Sequence, residues 1–131
     1  MREVTVGWAS GKFAQDIHVG AHHLRADEPV EQGGDDGGPA PHELLLAALG
    51  SCTAMTLKMY AARKGWPLRD VHVRLNGAGA ANGFSISRRL TLTGELDAEQ
   101  RQRLIEIAEK CPVHKTLAGD ITIVTTEEVP A

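Results

Sequence analysis

Two thiols carry the strongest chemical suggestion in this chain of 131 residues: Cys52 and Cys111, its only cysteines. Cys52 shares a stripe of helical spacing with Leu45, Leu49, Met55, Met59 and Ala62. Cys111 closes a second stripe with Leu104 and Ala108, at i, i+4 and i+7. Each sulfur is therefore expected to point inward. If the two helices pack on each other, the thiols come within disulfide reach, which needs Cα atoms about 4.4–6.8 Å apart. The plain alternative is a pair of small buried hydrophobes. Reactivity would require one sulfur held as thiolate, and a cysteine in mid-helix gains little from the helix dipole, so a cation has to come from elsewhere. Arg25, Arg88 and Lys115 are the candidates. Arg25 directly precedes the Gly-rich loop that feeds the first helix, and a short return would bring it over Cys52. Arg88 interrupts an apolar strand stripe and reads as a side chain reaching past the sheet edge to water, with an anion contact as the functional alternative.

Other chemistries fit the residue types less well. A Cys/His hydrolase could use Cys52 and His114 with Glu43 orienting, but such a nucleophile sits near a helix start with backbone donors beside it, whereas Cys52 lies well inside its helix. A zinc site from Cys52, Cys111, His114 and His42 has suitable ligand types and none of the usual CxxC or HExxH spacings. The Gly33–Gly38 run follows no clear strand, has no Lys and carries Asp35 and Asp36, which would repel phosphate.

The elements that must position these residues follow from periodicity. Val4, Val6 and Trp8 alternate, Ser10-Gly11 turns the chain, Phe13, Ile17 and Val19 follow, and His22–Ala26 makes a third strand, so an antiparallel meander is expected. Asp27–Pro41, rich in Gly, Pro and acids, reads as a surface loop that cannot bury itself. A long helix is expected over Pro41–Lys64, with Pro at its first turn and Gly65 and Pro67 as stop signals. Its apolar character on most faces makes it the central core element. Two strands come next, around Val71–Leu75 and Phe84–Leu92, joined by a flexible Gly/Ala/Asn loop over 76–83. Asp97 and Gln100 form a capping-box signature for a second helix, which Pro112 breaks. A turn through Leu117 then leads to a last strand containing Ile121 and Ile123. This is one α+β domain over residues 1–131.

Composition narrows the function classes. Hydrophobic residues make up 42% and charged residues 24%, enough for a folded core. With 14 Lys plus Arg against 17 Asp plus Glu, the net charge of −3 builds no field for nucleic acid or an anionic membrane. Two cysteines do not make a disulfide-built scaffold, and Met1–Val6 holds no apolar signal core, so a cytoplasmic location is expected. The uncharged run Leu44–Leu57 is shorter than the roughly 20 residues a bilayer needs.

The segment Gly38–Met55, GPAPHELLLAALGSCTAM, together with Cys111–Leu117, CPVHKTL, resembles the OsmC/Ohr family over most of the chain. The resemblance implies an intertwined homodimer with long Cys-bearing helices back to back, an antiparallel sheet wrapped outside, and two sites built by both chains. It also implies an antioxidant thiol peroxidase acting on organic hydroperoxides in the oxidative-stress response. Cys52 then stands as the peroxidatic thiol and Cys111 as the resolving one, reopened by an external dithiol, of which lipoyl groups are the kind known in the family. No metal, haem or flavin is called for. In the best-characterised peroxidases of the family a Glu directly follows the Pro and pairs with the activating Arg. Here His42 has that place and Glu43 is one further on, a rotation of about 100° on a helix. Glu43 and Arg25 are carried into those roles by position. The alternative of another class is a non-enzymatic dimer that binds an apolar ligand or senses redox state.

Overall fold

Alternation of apolar residues builds the first sheet. The computed structural model describes residues Met1–Pro130 and divides into two compact units, Met1–Ala47 and Ala48–Ala131. In the first unit, β1 (Val4–Ser10), β2 (Ala14–Val19) and β3 (His22–Ala26) pair antiparallel in the order β1-β2-β3. Val6, Ile17 and Leu24 stand in one cross-strand row, the apolar row that the alternation demands.

The Gly-rich segment after β3 departs from the expected solvated connector, because it folds around a buried carboxylate. Asp27, 3% exposed, accepts from the backbone amides of Glu28 at 2.7 Å, Gly37 at 3.0 Å and Asp35 at 3.3 Å. These amides, that of Gly37 foremost, hold the Asp27 carboxyl below the ordinary aspartate range. The glycines permit the close wrap: a Cβ on Gly34 would run into the carbonyl of Glu28, and one on Gly38 into that of Arg25. A short 3-10 turn, Val30–Gln32, lies in the same segment.

Helix α1 (Pro41–Lys64) has the span its Pro and Gly signals announce. Its start is capped by Glu43, whose Oε1 accepts from the Ala40 amide at 2.8 Å, half of a capping box. The helix is long and apolar enough, by length and composition, to cross a membrane, which corrects the shorter estimate from the uncharged run alone. Within the second unit, however, its Leu57 and Ala61 are core residues, and Lys58 donates to the carbonyls of Leu68 and Arg69 at 3.2 Å each.

The second unit continues with β4 (Leu68–Ala80) and β5 (Gly83–Gly94), one long antiparallel hairpin. The stretch expected as a flexible loop is strand: Gly77 pairs with Ile86, Gly79 with Phe84 and Ala80 with Gly83. Backbone ladder bonds need no side chain, so small residues extend the strand and only Ala81-Asn82 remain for the turn. Helix α2 (Ala98–Ala108) opens on the expected capping box, with Gln100 N donating to Asp97 Oδ1 at 2.8 Å and Asp97 N to Gln100 Oε1 at 2.9 Å. Leu57, Ala61, Leu68, Leu104, Ile107 and Ala108 form the core of this unit.

Two expectations about the C-terminal part are corrected. Pro112 does not merely end α2; it stands at the first position of a further helix, α3 (Pro112–Ala118), where its missing N–H costs nothing. Residues 119–130 form no strand, and Ile121, Ile123, Val124 and Val129 are exposed, because none of the described strands pairs with them. The class is α+β, with antiparallel sheets and a long helix.

Candidate active site

The first turn of α3 organises both thiols. Cys111 is its N-cap, and its sulfur accepts from the His114 amide at 3.4 Å. The amide next to it, that of Val113, donates to Cys52 Sγ at 3.5 Å. Pro112 offers no N–H, so Val113 and His114 supply the first free donors of the helix, and each goes to a different sulfur. Both cysteines are free thiols; Cys111 is wholly buried and Cys52 half-buried.

Proton bookkeeping distinguishes the two sulfurs. Thr53 is buried, and its hydroxyl donates its one proton to the Leu49 carbonyl at 2.7 Å. The same oxygen accepts from Arg88 Nη1 at 3.0 Å. Its remaining contact is with Cys111 Sγ at 3.9 Å, and with the hydroxyl proton already given to Leu49 the donor there is the Cys111 S–H. Cys52 accepts from an amide and has the Thr56 hydroxyl at 4.0 Å, surroundings that can donate to a negative sulfur.

Arg88 is not extended to water. It projects from β5, opposite Leu75 in the ladder, and its side chain is only 11% exposed. Besides Thr53 it meets His114 Nδ1 through Nη2 at 2.9 Å, with Glu109 Oε2 at 4.0 Å. A guanidinium only donates, so His114 Nδ1 must accept; the ring is neutral, and its proton sits on Nε2, which donates to Glu109 Oε2 at 3.2 Å. The available signal was the position itself, an Arg in an otherwise apolar strand face. Thr53 and Glu109 were missed altogether.

Arg25 and Glu43 belong to the first unit. Arg25 lies on β3, and its Nε reaches Asp16 Oδ1 at 3.4 Å, the oxygen that His23 Nε2 also meets at 2.9 Å. The hydrogen bond from His23, ahead of that from Arg25, lowers the Asp16 carboxyl below its ordinary range. Glu43 is engaged by the Ala40 amide as a helix cap. Lys115 sits in the last turn of α3. Cys52, Cys111, Arg88, His114 and Glu109 all lie in the second unit.

The second unit also contains a cavity of about 470 Å³. Leu49, Phe84, Ile86, Leu90, Ile105 and Leu117 give it apolar walls, and Arg88, His114 and Glu109 form its polar part. Among the described residues, no group of three or more His, Cys, Asp or Glu is arranged to hold a metal ion.

Comparison with known proteins agrees with this architecture. A family model described as OsmC-like protein matches residues 33–126. Among solved structures, the chain is similar to an OsmC-like protein from Mycoplasma pneumoniae, with TM-score 0.78, 18% identity and coverage of 91% of this chain and 88% of that one. It is also similar to an organic hydroperoxide resistance protein from Elizabethkingia anophelis, with TM-score 0.67, 21% identity and coverage of 92% and 89%. A Legionella pneumophila organic hydroperoxide resistance protein OsmC gives TM-score 0.65, 24% identity and coverage of 91% and 90%. No curated protein matches the sequence.

Proposed function

The chain belongs to the OsmC-like protein family, and from that premise we propose that it is a thiol peroxidase that reduces organic hydroperoxides through Cys52 and Cys111. The observation that carries the reading is the division of two adjacent amides, Val113 and His114, between two free sulfurs. Two of the similar structures belong to organic hydroperoxide resistance proteins, which is the chemistry the reading extends to this chain.

In the first step Cys52, as thiolate, attacks the outer oxygen of ROOH. The O–O bond breaks, the alkoxide leaves and takes a proton as ROH, and Cys52 becomes a sulfenic acid. In the second step the Cys111 sulfur attacks the sulfenic sulfur. The S–O bond breaks, oxygen departs as water with the Cys111 proton, and a disulfide remains. An external dithiol, for which a lipoyl group is the proposed kind, then reopens it by exchange and is itself oxidised. The residues fit the order of events: Cys52 is the sulfur with partial access, and Cys111 is buried with its sulfur against the Thr53 hydroxyl oxygen.

The protein acts in this account as a cytoplasmic homodimer with sites built by both chains, to which Arg25 and Glu43 contribute as the family motif carries them. Met55 and Met59, 61% and 66% exposed on α1, and the exposed Val6 and Trp8 on β1 supply apolar surface that a second copy would cover. A second reading, as a ligand-binding or redox-sensing dimer, draws support from the apolar cavity. Titration of reduced protein with cumene hydroperoxide separates the two. Rapid loss of both thiols, abolished in Cys52→Ser, is the peroxidase result; loss as slow as that of free cysteine is the binding result.

A further inference from the structure

The polar part of the cavity is balanced in charge. Arg88 contributes one positive charge, Glu109 one negative, and His114 none, because Arg88 occupies its Nδ1 and leaves the proton on Nε2. Arg88 spends one N–H of Nη1 on Thr53 and one of Nη2 on His114, and the carboxylate of Glu109 stands 4.0 Å from Nη2 as its counter-charge. Glu109 is also the most solvent-exposed member of the group, at 64%, against 28% for His114 and 11% for Arg88. An incoming carboxylate would therefore lose hydration to apolar walls, meet a cation whose charge Glu109 already offsets, and face that like charge.

We propose that Glu109 makes this cavity a charge filter: it admits uncharged apolar ligands and rejects those that carry a carboxylate. If the cavity serves the peroxidase reaction, the substrates are neutral alkyl and aryl hydroperoxides rather than free fatty-acid hydroperoxides. In that respect the inference rests on the proposed function, but the selectivity itself needs no turnover. Glu109 is a specificity residue in this account and takes no part in the bond-breaking steps. Its removal would leave Arg88 without a competing anion, and the preference would shift toward carboxylates.

The test is displacement of the neutral probe Nile red from the reduced protein at pH 8, by 1-dodecanol and by laurate in parallel. In the parent protein, dodecanol is expected to displace the probe at a concentration at least tenfold below that of laurate. In Glu109→Gln the two should come within about threefold, through a gain for laurate. Leu117→Trp, which fills the cavity from its wall, should lose the probe signal in a protein whose circular dichroism is unchanged. Laurate equal to dodecanol in the parent, an unchanged ratio in Glu109→Gln, or persistent probe binding in folded Leu117→Trp each overturns the proposal. Because no peroxide is present, a protein without peroxidase activity would still give the expected displacement.

Discussion

Replacing Thr53 by Val keeps the shape of a buried side chain and removes one oxygen, the oxygen on which Leu49, Arg88 and Cys111 converge. The Leu49 carbonyl retains its helical backbone bond. Arg88 Nη1, on a side chain 11% exposed, loses a charged hydrogen bond, a loss of about 1.5–3 kcal/mol, and the weaker thiol contact adds on the order of 0.5 kcal/mol. Thr53→Val should therefore destabilise by roughly 2–3.5 kcal/mol, a fall in Tm of about 6–15 °C for a domain of this size. The chemical effect should be selective. Cys111 loses the acceptor that orients its S–H, so stopped-flow oxidation followed by dimedone trapping should show a Cys52 sulfenic acid that accumulates in Thr53→Val and not in the parent. The first step should keep its rate. Thr53→Ser, which restores the hydroxyl, should recover the disulfide step and most of the stability. Infrared spectra of Cys52→Ser should place the Cys111 S–H band below that of an unbonded thiol, and adding Thr53→Val should raise it. Equal slowing of both steps, or an S–H band indifferent to Thr53, would refute the proton assignment.

Three further outcomes are expected. Arg25→Ala should slow the first oxidation and move its pH profile to higher pH, as measured by stopped-flow thiol loss; a profile coincident with the parent's removes Arg25 from the site and leaves Arg88 as the cation. Asp27 has its folded pKa lowered, so its contribution to stability is complete above the unfolded aspartate value near 3.9 and is lost as pH falls through the lower folded value. Urea unfolding of Asp27→Asn should show reduced stability at neutral pH and a flatter acid limb than the parent; parallel limbs would show that the loop does not depend on this carboxylate. The double substitution Met55→Glu and Met59→Glu should yield monomer by light scattering, whereas an unchanged dimer mass would place the interface away from this face of α1.

The elements legible in the sequence are those whose signals are local. The ends of α1 are marked by Pro41 and Gly65, the start of α2 by Asp97 and Gln100, and the first sheet by alternation from Val4 to Val19. The Gly/Ala/Asn part of the hairpin was not legible, because its strand character comes from pairing with Phe84–Ser87 rather than from its own side chains. The same holds for α3, where Pro112 reads equally as a stop or a start until Cys111 is seen capping the turn. The thiols stood out by type, but their surroundings did not. Thr53 is an ordinary helical residue until Arg88 reaches it from β5, a meeting set by strand pairing that chain proximity does not reveal.

The central claim, that Cys52 and Cys111 form a redox pair, is tested most directly by peptide mapping under non-reducing conditions after one equivalent of cumene hydroperoxide. The account predicts a single Cys52–Cys111 disulfide within each chain, with no intermolecular cross-link and no sulfinic acid. Recovery of both cysteines as free thiols, or of Cys52 over-oxidised beside an intact Cys111 thiol, would contradict it.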